Sequence, residues 1–93
     1  MISRQRLWRL RNEIPVDHIL EELDLPTKLS EGYLRFLCPL CREFNTATNP
    51  RTNLARCFRC SRNFNPIDLV MVVHGLPFLE AVAYLTPLLP APP

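Results

Sequence analysis

Four cysteines in two matched pairs constrain this chain more than anything else in it. Cys38-Pro39-Leu40-Cys41 and Cys57-Phe58-Arg59-Cys60 share the Cys-x2-Cys spacing, with 15 residues between the pairs. Each pair bends the backbone so that two thiolates converge on one ion at about 2.3 Å, and two such knuckles close a tetrahedron. The intervening stretch has room for one hairpin, which is the spacing of a structural zinc site. One structural Zn²⁺ is therefore expected, held by Cys38, Cys41, Cys57 and Cys60. A closed tetrahedron leaves no position for water, so the ion is expected to hold the fold rather than to catalyse. Length argues the same way: the chain has 93 residues, and a domain of that size commonly needs a staple.

Two rivals use the same sulfurs. Disulfides require an oxidising compartment, and the opening stretch MISRQRLWRLRNE is basic without the apolar core of a secretory signal. A cytoplasmic location is expected instead. Iron also accepts four thiolates in a tetrahedron. Rubredoxin-type iron chains are typically acidic, whereas the segment around these cysteines is basic, which favours zinc.

Composition removes other classes. A hydrophobic share of 47% with 22% charged residues is too apolar for a disordered tail, and the chain lacks the run of about 18 apolar residues that a membrane span needs. The net charge of +2 conceals segregation. Arg4, Arg6, Arg9 and Arg11 open the chain without an acid. Glu13, Asp17, Glu21, Glu22, Asp24 and Glu31 follow, against Lys28 alone. Arg35, Arg42, Arg51, Arg56, Arg59 and Arg62 then face only Glu43. A GC-rich genome would favour Arg over Lys; so would phosphate recognition, because a guanidinium bonds phosphate bidentately and stacks on bases.

The chain reads as three parts. Val16, Ile19, Leu20 and Leu23 recur at helical spacing after Pro15, and a short amphipathic helix is expected around Trp8, with Trp8 as its anchor. In the middle, Tyr33–Leu37 is rich in strand formers, and Thr46–Thr48 and Leu54–Arg56 flank the turn-forming stretch Asn49–Asn53. Asn65, Pro66 and Asp68 then mark a helix start and Gly75 its stop, followed by a second helix from Pro77. One α+β domain over residues 1–86 is expected, with 87–93 as a Pro-rich tail or the start of a linker.

In this order the parts resemble the N-terminal zinc-binding domain of bacterial DnaG-type primases and their phage and mobile-element relatives. The resemblance rests on the acidic helix, Tyr33 before a strand, the two knuckles, Asn65-Pro66-Ile67-Asp68-Leu69-Val70-Met71, and Gly75-x2-Phe78-x-Glu80-Ala81-Val82. It implies a zinc ribbon, a short antiparallel sheet with flanking helices, that contacts single-stranded DNA template during primer synthesis. A separate TOPRIM-type catalytic domain or another replication protein would be its partner. The chain departs from the family in having Cys41 where His is usual, Phe44 in place of a basic residue, and Ser61 and Phe64 in place of glycines.

Single-strand binders combine a basic groove with aromatic faces on which bases stack. Arg42, Arg59 and Arg62 are the first candidates, since they lie in or beside the knuckles, with Arg35, Arg51 and Arg56 behind them. Phe44 and Phe64 are the expected stacking residues; Phe36 and Phe58 are expected to pack inside. His18 and His74 need no metal role, and His74 is placed to favour a helix C-terminus. No catalysis is expected of the chain alone, because primer synthesis needs clustered carboxylates holding Mg²⁺ and the acids here belong to a solvated helix face. The alternatives are a DNA-binding accessory factor of a phage or mobile element without a priming role, or a protein-interaction module using Arg4, Arg6, Trp8 and the Leu88-Leu89 tail.

Overall fold

A computed structural model describes residues 2–91; residues 1, 92 and 93, the ends of the expected domain and tail, lie outside them. Helices α1 (Arg4–Asn12) and α2 (Val16–Glu22) lead into five strands, β1 (Thr27–Ser30), β2 (Tyr33–Phe36), β3 (Thr46–Asn49), β4 (Leu54–Cys57) and β5 (Arg62–Phe64). Helices α3 (Pro66–His74) and α4 (Phe78–Leu85) close the chain, with a single 3₁₀ turn over Thr86–Leu88. The domain is thus α+β, an antiparallel sheet with a four-cysteine cluster and flanking helices, consistent with a metal-stapled zinc ribbon.

The strands pair in sequence order, each antiparallel to the next. Such a meander places alternate connections at opposite ends of the sheet. The β2–β3 loop and the β4–β5 hairpin share one end, and these carry the two cysteine pairs. The β1–β2 and β3–β4 turns share the other. Glu31 and Gly32 have φ of 55° and 79°, so the β1–β2 connection is a two-residue turn with both central residues left-handed, which suits the right-handed twist of a hairpin. Gly32 meets that demand without strain; Glu31 does not.

Strand alternation separates the two faces. Phe36, Thr46, Thr48, Ala55, Cys57 and Phe64 are buried on one side, and α3, which packs against α1, α2, α4 and β5, lies at the centre of the helical layer. Leu10, Ile14, Ile19, Leu20, Leu69 and Leu85 complete a single core with them. The α3 start follows its sequence signals: Asn65 Oδ1 accepts from the Asp68 amide at 2.8 Å, and an Asp68 carboxylate oxygen accepts from the Asn65 amide at 3.1 Å. Both partners of a capping box are therefore satisfied. Gly75, at φ 63°, ends the helix in the left-handed conformation.

One residue at the turn end ties the layers together. Asn53 is buried, has φ 56°, and sits just before β4. Its Nδ2 donates to the Arg11 carbonyl at 2.6 Å and the Ile14 carbonyl at 2.8 Å, while its Oδ1 accepts from the Val16 amide at 2.8 Å. Asn tolerates left-handed backbone better than most residues and offers donor and acceptor together. It thereby clamps the α1–α2 junction onto the β3–β4 hairpin.

One expectation changes. Trp8 is no anchor: it is 59% exposed, while Leu10 is buried. Each helical residue turns about 100° from the last, so the Leu7/Leu10 register that faces the core carries Trp8 outward. Within the segment 87–93, Leu88 and Leu89 pack against the core and Arg9 donates to the Pro90 carbonyl at 2.8 Å. Among the described residues no single helix is long and apolar enough to cross a membrane.

Candidate metal centre and the sheet face beside it

The two knuckles are built alike. Cys38 ends the run out of β2, and its Sγ accepts from the Leu40 amide at 3.4 Å; Cys57 ends β4, and its Sγ accepts from the Cys60 amide at 3.3 Å. The residue after each second cysteine is left-handed, Arg42 at φ 61° and Ser61 at φ 57°. Backbone amides aimed at sulfur favour the thiolate, and the left-handed residue turns the chain back toward the sheet.

All four Sγ atoms lie within 4.8 Å of one another. Cys38 and Cys60 sulfurs are 3.9 Å apart, and those of Cys41 and Cys57 are 3.7 Å apart. Metal–sulfur bonds of about 2.3 Å in a tetrahedron set sulfur separations near about 3.8 Å. The cluster thus has the size and donor chemistry of a closed four-thiolate site. A second observation agrees. Thr46 Oγ1 is buried without a hydrogen-bond partner, and Thr46 pairs across the sheet with Cys57. A thiolate at Cys57 gives that hydroxyl an acceptor. An ion bound here would supply a structural tie between the two loops.

The thiols differ in acidity. Burial pushes the Cys57 thiol up, but the Cys60 amide, the Thr46 hydroxyl and the neighbouring thiols favour its thiolate more strongly and bring it to about 6. Burial and the bonds to Cys57, Cys41 and Cys38 push Cys60 up to about 12. Burial likewise raises Cys41, partly offset by the Glu43 amide. Cys57 therefore gives up its proton ahead of Cys41 and Cys60.

The structure divides the eight residues expected to meet nucleic acid. Arg35, Arg51 and Arg56 line one open groove of about 850 Å³ on the solvent face of the sheet, together with Tyr33 and Phe58. Arg35 pairs with Ala47, Ala47 with Arg56, and Arg56 with Asn63, so these residues form one row across four strands. Arg42, Arg59 and Arg62 stay at the metal end, outside the groove lining. Arg59 is engaged with the Glu43 carboxylate at 3.1 Å, Arg42 is exposed and lines a small pocket that Leu37, Val72 and Val73 also line, and the Arg62 guanidinium sits 5.8 Å from the Phe64 ring centre.

The exposed aromatic residues are not the ones expected. Phe64 is fully buried, because its pairing with Ala55 puts it on the core face, so it offers no surface for a base. Phe58 is 62% exposed. Cys57 must face inward to join the cluster, and strand alternation then turns its neighbour Phe58 outward. Tyr33, 57% exposed, shares that face by parity with Arg35. Counting odd and even positions from Cys57 and Phe36 would have found both aromatics. Phe36 is buried as expected, and Phe44 is half-buried with the Lys28 amine 5.0 Å from its ring centre. His74 ends α3 with its ring 5.3 Å from that of Tyr84.

Compared with protein-family models and with curated proteins, the chain gives no match.

Proposed function

We propose that this chain is a zinc-ribbon module that holds single-stranded DNA across the solvent face of its sheet, as the template-binding part of a DnaG-like primase whose catalysis resides elsewhere. The observation that carries the reading is the groove itself. Three guanidinium groups and two exposed aromatic rings line one groove over the solvent face of the sheet and its β3–β4 turn. Phosphates take the arginines and bases take the rings, which is how sequence-tolerant single-strand binders work. The only carboxylate within 4 Å of a groove arginine among the described residues is Glu31, 3.9 Å from Arg35 and itself 82% exposed. An exposed pair of this kind is weak and easily exchanged for a phosphate. Zinc is the metal that best suits a closed four-sulfur site in a basic setting. The order of motifs shared with primase zinc domains supports the template role.

A salt titration tests the assignment. Fluorescent single-stranded oligonucleotides are bound to the metal-loaded protein and to two triple variants. Three phosphate contacts on a single strand give a slope of log K against log salt near about −2. Changing Arg35, Arg51 and Arg56 to Ala should abolish most of that slope. Changing Arg42, Arg59 and Arg62 to Ala should leave it largely intact. The reverse order would move the interface to the metal end.

A further inference from the structure

The groove on the sheet does not stop at its edge. Its lining includes Pro50, Arg51 and Thr52 of the β3–β4 turn. Two residues after Arg51, the Asn53 side chain holds the Arg11 carbonyl at 2.6 Å. The C-terminal end of α1 is therefore fixed against the turn at which the groove ends. We propose that the same nucleic-acid strand continues over this turn onto the outer face of α1, where Arg4, Trp8 and Arg11 take further nucleotides; this extension rests on the reading of the sheet face given above.

Helix geometry aligns the three residues. Positions i, i+4 and i+7 share one face, so Arg4, Trp8 and Arg11 form a stripe. All three are exposed, while Leu10 points to the core. At a rise of 1.5 Å per residue the stripe runs about 10 Å. Its alternation of cation, large ring and cation matches a phosphate–base–phosphate spacing better than it matches an apolar partner, because charge flanks the ring on both sides.

Charge makes the second argument. Of the four arginines on α1, Arg9 is paired with Glu13 at 2.6 Å. Arg4, Arg6 and Arg11 have no carboxylate within 4 Å among the described residues. Arg4 and Arg6 also stand in the first turn, which holds no acid. A helix N-terminus carries partial positive charge, so cations there are unfavourable. Breaking a local rule without local compensation is the pattern expected of residues kept for a ligand. The ligand that suits them is a polyanion arriving from the adjoining groove.

The protein contains a single tryptophan, so Trp8 fluorescence reports α1 alone. The test titrates metal-loaded protein with oligothymidylates of about 4 to about 16 nucleotides, following both label anisotropy and Trp8 emission. Short oligonucleotides should bind the groove without quenching Trp8, and quenching should set in once the strand is long enough to reach α1. Changing Arg4 and Arg11 to Ala should flatten the salt slope of the long oligonucleotide by about 1.4 and leave that of the shortest unchanged. Trp8→Ala should weaken long-strand binding roughly tenfold, with Trp8→Phe restoring most of it. All these side chains are exposed, and metal content with a thermal melt verifies folding. Long-strand binding without quenching, or with an unchanged slope in the Arg4/Arg11 variant, would overturn the extension and leave the groove standing. Quenching that survives loss of Arg35, Arg51 and Arg56 would overturn the continuous path. Absence of any single-strand binding at low salt would sink the groove, and the extension with it.

Discussion

The two ends of the sheet are held by opposite means. At one end, two loops converge on four sulfurs within 4.8 Å of one another, and are joined besides by the Phe58 amide donating to the Asn45 carbonyl at 2.9 Å and by the exposed Arg59–Glu43 pair. At the other, the β3–β4 turn is fixed by three hydrogen bonds from one buried side chain, Asn53. The first arrangement offers four sulfurs to an ion; the second is made by one side chain within the chain. The difference bears on function. The groove arginine Arg51 belongs to the turn that Asn53 holds, so the proposed strand path starts beside the cysteine cluster and leaves across that turn.

Removing the metal is the largest perturbation of this balance. Structural zinc sites contribute about 10–16 kcal/mol in small peptides, comparable with the roughly 5–15 kcal/mol that a domain has in total. A chelator should therefore abolish cooperative unfolding, as should Ser at Cys38, Cys41, Cys57 or Cys60, read by far-ultraviolet circular dichroism. Acid should act in the same direction. Cys41 and Cys60, both held above the ordinary thiol range, must give up protons to bind, so metal affinity should fall steadily from pH 8 to pH 6 in a competition assay. A chelated protein that still melts cooperatively would mean that the Asn53 end and the core suffice alone.

Breaking the other end should cost less. Asn53→Ala removes partners from two carbonyls and one amide and places Ala in left-handed backbone, for a loss of about 3 kcal/mol. At about 4–8 °C per kcal/mol for a domain of this size, the melting temperature should drop by roughly 15 °C while one metal ion stays bound. Asn53→Gly sharpens the comparison, since it keeps the backbone free and loses only the hydrogen bonds. If Asn53→Gly were as stable as the wild type, the clamp would be geometric and not bonded.

The same contrast explains what could be read from the sequence. The metal end was legible because its chemistry is a spacing: four cysteines announce themselves at any position in the fold. So were α3, through Asn65-Pro66-x-Asp68, and the β3–β4 hairpin, through its turn formers. Strands β1 and β5 were not foreseen, because Thr27–Ser30 and Arg62–Phe64 are too short and polar to show a strand pattern alone. They exist because β2 and β4 offer them hydrogen-bonding edges. The groove was missed for a related reason. Proximity to the knuckles was a guide to chain position, whereas the groove follows strand parity, which sends Arg35, Arg56 and Phe58 outward and Phe64 inward. Asn53 gave no signal, since its partners lie 37 to 42 residues away.

The smallest expected effect separates the two knuckles themselves. Arg42 and Ser61 occupy equivalent left-handed positions, at φ 61° and 57°, where a side chain costs about 1–2 kcal/mol that glycine avoids. Glycine returns part of this through its greater freedom when unfolded, so Ser61→Gly should stabilise the metal-loaded domain by about 0.5–1 kcal/mol, a rise of a few degrees in melting temperature. Arg42→Gly should gain less, because the Arg42 side chain forms part of the lining of a small apolar-walled pocket with Leu37, Val72 and Val73, and that lining would be lost. Neither position lines the groove, so single-strand affinity and its salt slope should not move in either variant. A loss of stability in Ser61→Gly would show that the second knuckle draws on the serine side chain and that the two loops, alike in backbone, are held differently.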